Sequence, residues 1–384
     1  MDFDFSDEQR LLKDSVERLL GDRYAFEQRR AHAAQPEGWS RALWKQYAEL
    51  GLLGLPFAED QGGLGGGPVE TMIVMEAFGR TLVLEPYLAT VVLAGGLLRH
   101  GVTDSLASML PARIADGSLI LAFGHTERHS RFNLADVSTT ARREAGGWVL
   151  EGEKTVILSG DSADQIIVTA RTAGGQRDRR GIGLFLVDMQ APGVSRRAYP
   201  TADGLRACDL TLSGVRVGPD AMIGPEEDAL PVVERVVDEA IAALAAEAVG
   251  AMAVMHETTV EYLKTRKQFG TEIGRFQVLQ HRAVDMLVAL EQARSMALFA
   301  TMMAGEDDAT ERSKAMAAAK VQIGRSGRLV GQQAIQLHGG MGMTMEYKVG
   351  HYFKRVTMID TLFGTADHHL ARLAEAGGLL TPAG

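Results

Sequence analysis

The sequence predicts an α+β chain in three successive parts: a helical N-terminal domain over residues 1–117, an antiparallel β-barrel domain over 118–222, and a C-terminal four-helix bundle over 223–384. Three observations carry this. Apolar residues recur at spacings of three and four in the first part. Six short β-branched or aromatic runs, separated by Gly, Asn and Asp and with no helical pattern between them, fill the middle. After Pro225 the helical period returns and persists to the end.

In the first part, Ser6 with Gln9 three residues on reads as a capping box, and Leu12, Val16, Leu19 and Leu20 then share one helical face. Ser40 caps the next helix, with Trp44 and Leu50 on one side and Gly51 as a left-handed stop. The run 59–68 is a glycine-rich loop, and Pro68 suits the first position of a helix through Met72, Val74, Met75 and Phe78. In the middle part the predicted strands are 137–141, 147–150, 155–158, 166–169, 183–187 and 210–212, and the Gly/Arg-rich stretch 174–181 is a solvated hairpin loop. In the last part, Val233, Val237, Ala240, Leu244, Ala248, Met252, Met255, Thr259 and Leu263 lie on one long helix ending at Phe269-Gly270. Three further helical stretches, 275–304, 308–336 and 345–376, complete an up-and-down bundle, which is also a natural oligomer surface.

Length and charge exclude several function classes. A chain of 384 residues can hold two or three cores, and a net charge of -9 without a basic run argues against binding nucleic acid. The single cysteine, Cys208, excludes an intrachain disulfide and a thiolate metal site, and suits a reducing compartment. The acidic, polar N-terminus is unlike an export signal, and the apolar windows 82–98 and 240–255 are interrupted by Glu85, Pro86 and Glu247. A cytoplasmic protein without a membrane span is expected.

The chemistry concentrates in the last third. Tyr262-Leu263-Lys264-Thr265-Arg266-Lys267-Gln268-Phe269-Gly270 runs into Phe276-Gln277, and Gln336-Leu337-His338-Gly339-Gly340-Met341-Gly342 leads on to Phe363-Gly364-Thr365. A dinucleotide presents two phosphates and a stackable base. Arg266 at a helix end offers bidentate donors, Phe269 an aromatic face, and Gly339, Gly340 and Gly342 a backbone that a diphosphate can approach. Singly, Arg266 reads as a solvated cation and the glycines as a turn; order and spacing together favour a flavin.

These strings resemble the acyl-CoA dehydrogenase family, as do Phe3-Asp4-Phe5-Ser6 and Glu49-Leu50-Gly51-Leu52 at the start of the chain. The segments 70–80 and 85–90 are similar to small subunits of pimeloyl-CoA dehydrogenases. The resemblance implies FAD as cofactor, an acyl-CoA substrate, an electron-transfer flavoprotein as acceptor, and a tetramer built as a dimer of dimers. It also implies that Arg266, Phe269, Phe276, Gln277, Gln336, Gly339 and Gly340 grip the FAD of a neighbouring subunit, while Thr365 and the β-domain, through Thr126 and Ser159, hold the chain's own. Where relatives read Trp-Ile-Thr-Asn-Gly this chain has Val156-Ile157-Leu158-Ser159-Gly160, so an aromatic wall is missing.

The same resemblance exposes a gap. Many relatives carry a catalytic glutamate before Gly364-Thr365, and here that position is Phe363; others carry it where this chain has Ala240. Abstraction of a proton α to a thioester needs a base within hydrogen-bond reach, and Glu239 and Asp238, on a helix, point elsewhere by about 100° per residue. Three readings stay open: a subunit of a heteromeric dehydrogenase whose partner carries the base, a self-sufficient enzyme with a displaced carboxylate, or a flavin-binding structural subunit. The cluster His125, Arg128, His129 and Arg131 reads either as an exposed loop or as a site for a distal carboxylate or CoA phosphates.

Overall fold

A computed structural model describes residues 4–101 and 109–377; residues 1–3, 102–108 and 378–384 of the predicted domains lie outside the described residues. In chain order it contains α1 (Asp7–Arg23), α2 (Phe26–Ala33), α3 (Arg41–Glu49), α4 (Pro68–Thr81), a π-helical stretch Leu88–Ala94 that continues as α5 (Gly95–Gly101), and α6 (Leu110–Ala115). The strands follow: β1 (Leu121–Gly124), β2 (Thr140–Glu144), β3 (Gly147–Leu158), β4 (Gln165–Arg171), β5 (Ile182–Asp188), β6 (Val194–Pro200), β7 (Arg206–Val217) and β8 (Met222–Ile223). Then come α7 (Leu230–Thr265), a hairpin of β9 (Lys267–Gln268) and β10 (Thr271–Glu272), α8 (Gln277–Met303), α9 (Ala309–His338), α10 (Lys348–Thr361) and α11 (Ala366–Glu375). The order is helical, β, helical. Compact packing divides the chain differently, into a first unit of Met1–Ala31, Pro68–Val83 and Ile241–Gly384 and a second of His32–Gly67 and Leu84–Ala240.

Local chemistry explains the helix ends. Ser6 Oγ accepts from Gln9 N at 3.2 Å and Gln9 Oε1 accepts in turn from Ser6 N at 3.0 Å, a closed capping box. Ser40 Oγ accepts from Leu43 N at 3.3 Å, and Gly51 at φ +74° stops α3.

In the first unit, α4 and α7 approach until backbone meets backbone. A Cβ on Gly79 would lie 1.9 Å from the Glu247 carbonyl oxygen, and one on Gly250 would lie 2.0 Å from that of Glu76. Only glycine fits at either place. The last predicted helix, 345–376, is broken in two between Leu362 and Thr365. Phe363 and Gly364 adopt φ of +57° and +112°, which ends α10, and Thr365 caps α11 by accepting from His368 N at 3.3 Å. The buried Lys320 ammonium takes up the loose carbonyls of Ile359, Asp360 and Leu362 at 2.6, 3.1 and 2.8 Å. Periodicity alone could not reveal this break, because apolar spacing carries on across it.

The second unit holds the sheet, and here the barrel expectation is corrected. The strand order is β6-β7-β3-β2-β4-β5-β8, with β1 beside β4, and β6 and β8 at the two ends do not pair. The sheet is therefore open. It is also mixed, since β1 runs parallel to β4. Strands β1, β4 and β5 are buried almost throughout, covered on both faces as a closed one-layer barrel would not require, whereas β6 is exposed along its length. Its Arg196 and Arg197 put charge on the open edge, a common protection against further pairing, and they hid this strand from an apolar-run reading. The predicted runs 147–150 and 155–158 are one strand, β3, with register shifts between Leu150 and Gly152 and between Lys154 and Ile157. Of the run 137–141, only Thr140 and Ala141 belong to a strand.

Arg171 at the end of β4 organises the 174–181 loop from beneath. Its guanidinium donates to the carbonyls of Ala135, Gln176, Asp178 and Arg180 at 2.8, 2.7, 2.9 and 2.8 Å. Among the described residues no helix is long and apolar enough to cross a membrane.

Candidate cofactor site and the catalytic position

In the first unit, α7 ends at Thr265 and the chain turns back through a two-residue hairpin whose tip is Phe269 and Gly270, at φ +54° and +81°. Phe269 is 92% exposed, with its ring edge-on to Phe276 at 6.2 Å. An aromatic residue held in the left-handed region at full exposure is costly for its own chain. Arg266 and Gln277 flank this tip, and Gln336 lies in the last turn of α9. All three are exposed, and their side chains make no hydrogen bond or ion pair among the described residues.

The end of α9 lies against α7. His338 stacks on Tyr262 at 4.5 Å between ring centroids, one turn before Arg266 and immediately before Gly339. Gly339 needs glycine, because its φ is +58°. Gly340 does not: its φ is ordinary and an added Cβ would meet nothing within 4 Å. Free donors beside an open glycine turn fit an anionic group such as a diphosphate. These residues therefore fit FAD.

In the second unit, Thr126 Oγ1 lies 3.3 Å from His125 Nδ1, and the Thr126 carbonyl accepts from Thr155 N at 2.8 Å, which places it beside the strand carrying Val156. Ser159 N donates to Arg206 O at 2.9 Å, and the Ser159 hydroxyl makes no hydrogen bond among the described residues. Val156 and Ser159 both sit at positive φ, +53° and +52°. For a β-branched residue that is a genuine outlier, and Val156 is also 44% exposed. Thr365 in the first unit uses its hydroxyl to cap α11.

Beneath Thr126 lies a buried ion pair with no sequence signal, its partners 27 residues apart. Lys154 Nζ donates to Glu127 Oε1 at 2.6 Å and to Thr169 Oγ1 at 2.9 Å. Glu127 also accepts from Ser138 N at 2.9 Å, Thr139 N at 3.1 Å and the Ser138 hydroxyl. Burial raises the Glu127 carboxyl, but the Lys154 charge and these donors overcome it and hold it at about 2. Burial, joined by the Lys154 charge, lowers His125 to about 4.

The cationic cluster is largely committed. Arg128 lies 3.7 Å from Asp209, and His129 lies 3.1 Å from Asp136 and 3.6 Å from Glu127. His125 packs on Phe123 at 4.9 Å. Arg131, at φ +48°, has no side-chain partner among the described residues.

The Phe363 carbonyl accepts from His369 Nε2 at 3.0 Å. Glu239 is engaged on all sides, by Arg99 at 2.7 Å, His100 at 2.7 Å and Arg235 at 3.6 Å. Burial raises its carboxyl, and the His100 hydrogen bond with the Arg99 charge reverses this, leaving it below the usual range. A carboxylate so stabilised is a poor proton acceptor. Asp238 is buried.

Family models described as the acyl-CoA dehydrogenase N-terminal, middle and C-terminal domains match residues 6–118, 122–215 and 230–378. Acyl-CoA dehydrogenase FadE12 of Mycobacterium tuberculosis is 31% identical over 355 residues, 90% of this chain and 89% of that protein. Among solved structures, the ChsE4-ChsE5 complex from Mycobacterium tuberculosis matches at a TM-score of 0.88 with 25% identity, over 100% of both chains. The FAD complex of PigA matches at 0.89 with 26% identity, over 99% of this chain and 100% of that one.

Proposed function

This chain belongs to the acyl-CoA dehydrogenase family of FAD-dependent oxidoreductases, and we propose that it serves as one subunit of a heteromeric enzyme whose partner supplies the base. The observation that carries this reading is Phe363 at the position of the family's glutamate, with the nearest alternative, Glu239, tied into an ion-pair cluster. FAD, when bound, supplies the acceptor for the hydride that leaves the β-carbon of the acyl thioester. The chain's own contribution is to hold it. Arg266, Gln277 and Gln336 would donate towards the diphosphate, Gly339 and Gly340 would give it room, and Phe269 and Phe276 would cover the adenine. Thr126, Ser159 and Thr365 are assigned to the flavin of the same chain. The heteromeric ChsE4-ChsE5 match supports an assembly of unlike chains, arranged as a dimer of dimers, with an electron-transfer flavoprotein as acceptor.

A dicarboxylyl substrate such as pimeloyl-CoA has narrower support, because Arg131 alone of the cationic cluster is uncommitted among the described residues. The test of the main reading is a substrate-bleaching spectrum. The isolated chain loaded with FAD should keep its flavin absorption when acyl-CoA is added, and bleaching should appear on co-expression with a second dehydrogenase chain from the same host. Bleaching by the isolated chain would overturn it.

A further inference from the structure

We infer that His338 is a positioning residue that clamps the Arg266 end of α7 to the glycine turn after α9, so that both halves of the phosphate site stand in one fixed arrangement. The inference rests on the reading of those two segments as an FAD site.

His338 is 3% exposed although it adjoins the exposed Gly339. Its ring lies between two tyrosines, Tyr262 on α7 at 4.5 Å and Tyr347 before α10 at 5.1 Å. The polar edges fix the ring in its plane. Nδ1 lies 2.8 Å from the Ala334 carbonyl, which can only accept, so Nδ1 carries the hydrogen. Nε2 lies 3.3 Å from the Tyr347 hydroxyl. Burial lowers the ring's basicity, opposed by hydrogen bonds to the Ala334 and Thr258 carbonyls. The turn folds back on the same residue, since a Cβ on Gly342 would lie 3.1 Å from His338 Cβ.

The arrangement answers a geometric need. Arg266 and Gly339 are more than seventy residues apart in sequence and both exposed, the Arg266 side chain has no partner among the described residues, and the turn's own bonds, Gly339 N to Gln336 O and Thr344 N to Met341 O, stay within its segment and do not reach α7. A misplacement of about 1 Å in such a site costs affinity steeply. One ring adjacent to Gly339, stacked one turn before Arg266, removes the relative motion.

The experiment compares wild type, His338→Ala and Tyr347→Phe, the last deleting one hydroxyl and keeping the fold. The dissociation constant for FAD is measured on the deflavinated proteins, together with amide hydrogen exchange over residues 266–276 and 339–343 in the absence of flavin. The expected result is at least a tenfold weaker constant for His338→Ala, a two- to fivefold weaker one for Tyr347→Phe, and faster exchange in both segments for each. Unchanged exchange with FAD affinity within twofold of wild type in Tyr347→Phe, and in His338→Ala if it folds, would overturn the clamp. If wild type takes up no FAD, the phosphate-site reading fails on that measurement, and exchange alone decides whether His338 ties the two segments.

Discussion

Glu247 on α7 and Arg355 on α10 meet in the interior of the first unit through two parallel hydrogen bonds, Nε to Oε1 at 2.5 Å and Nη2 to Oε2 at 2.7 Å. Both side chains are 6% exposed. A fork-to-fork pair of this kind fixes direction as well as distance. Removing one partner strands the other charge, so Glu247→Gln is expected to destabilise the protein by about 3–5 kcal/mol. Replacing both residues by apolar ones is expected to cost less. Urea denaturation of the two variants checks this.

Glu127 contributes to the acid sensitivity of the second unit. Its folded value of about 2 lies below that of an ordinary carboxyl, so its contribution is complete above the unfolded value, about 4.3, and drains away as pH falls towards 2. The midpoint of denaturation should decline from pH 5 to pH 2 in wild type. In Glu127→Gln the decline should be shallower from a lower starting point.

The Arg266 side chain has no partner to lose among the described residues, so its removal should leave folding alone. Arg266→Ala is expected to keep the melting temperature within about 2 °C of wild type, a change of under roughly 0.5 kcal/mol. It should weaken FAD retention by at least about tenfold, the scale of a charge-assisted bond. Flavin absorbance after gel filtration reads the second quantity.

Phe363→Glu places a carboxyl where relatives carry theirs. In the FAD-loaded isolated chain the variant should be bleached by acyl-CoA at least about 10²-fold faster than wild type, the lower scale of general-base catalysis. Equal rates would show that position 363 does not face the substrate.

The sequence made the element order readable, because helical and strand periods differ and the capping residues Ser6 and Ser40 announce their helices locally. It concealed what depends on distant partners. Strand β6 escapes a search for apolar runs because an exposed edge needs none, and sheet closure cannot be inferred from strand count. The break at Phe363 depends on Lys320, some forty residues away. Of the candidate FAD residues, Arg266 and Phe269 stand exposed in the structure, whereas Thr126, Ser159 and Thr365 are half-buried and Thr365 spends its hydroxyl on capping α11. His338 was hidden inside the same motif, its role visible only once Tyr262 and Tyr347 are placed around it. The Glu239 cluster was equally hidden, since Arg99 and His100 lie about 140 residues before it.

The four carbonyls gathered by Arg171 change what the arginine-rich loop means in practice. Written out, Arg177, Arg179 and Arg180 look like an invitation to trypsin. A protease must draw its target into an extended strand, and here the peptide units on both sides are pinned from below. The scissile bonds are in plain view yet out of reach, and the segment should outlast the digestion of chains in which residue 171 no longer carries a guanidinium.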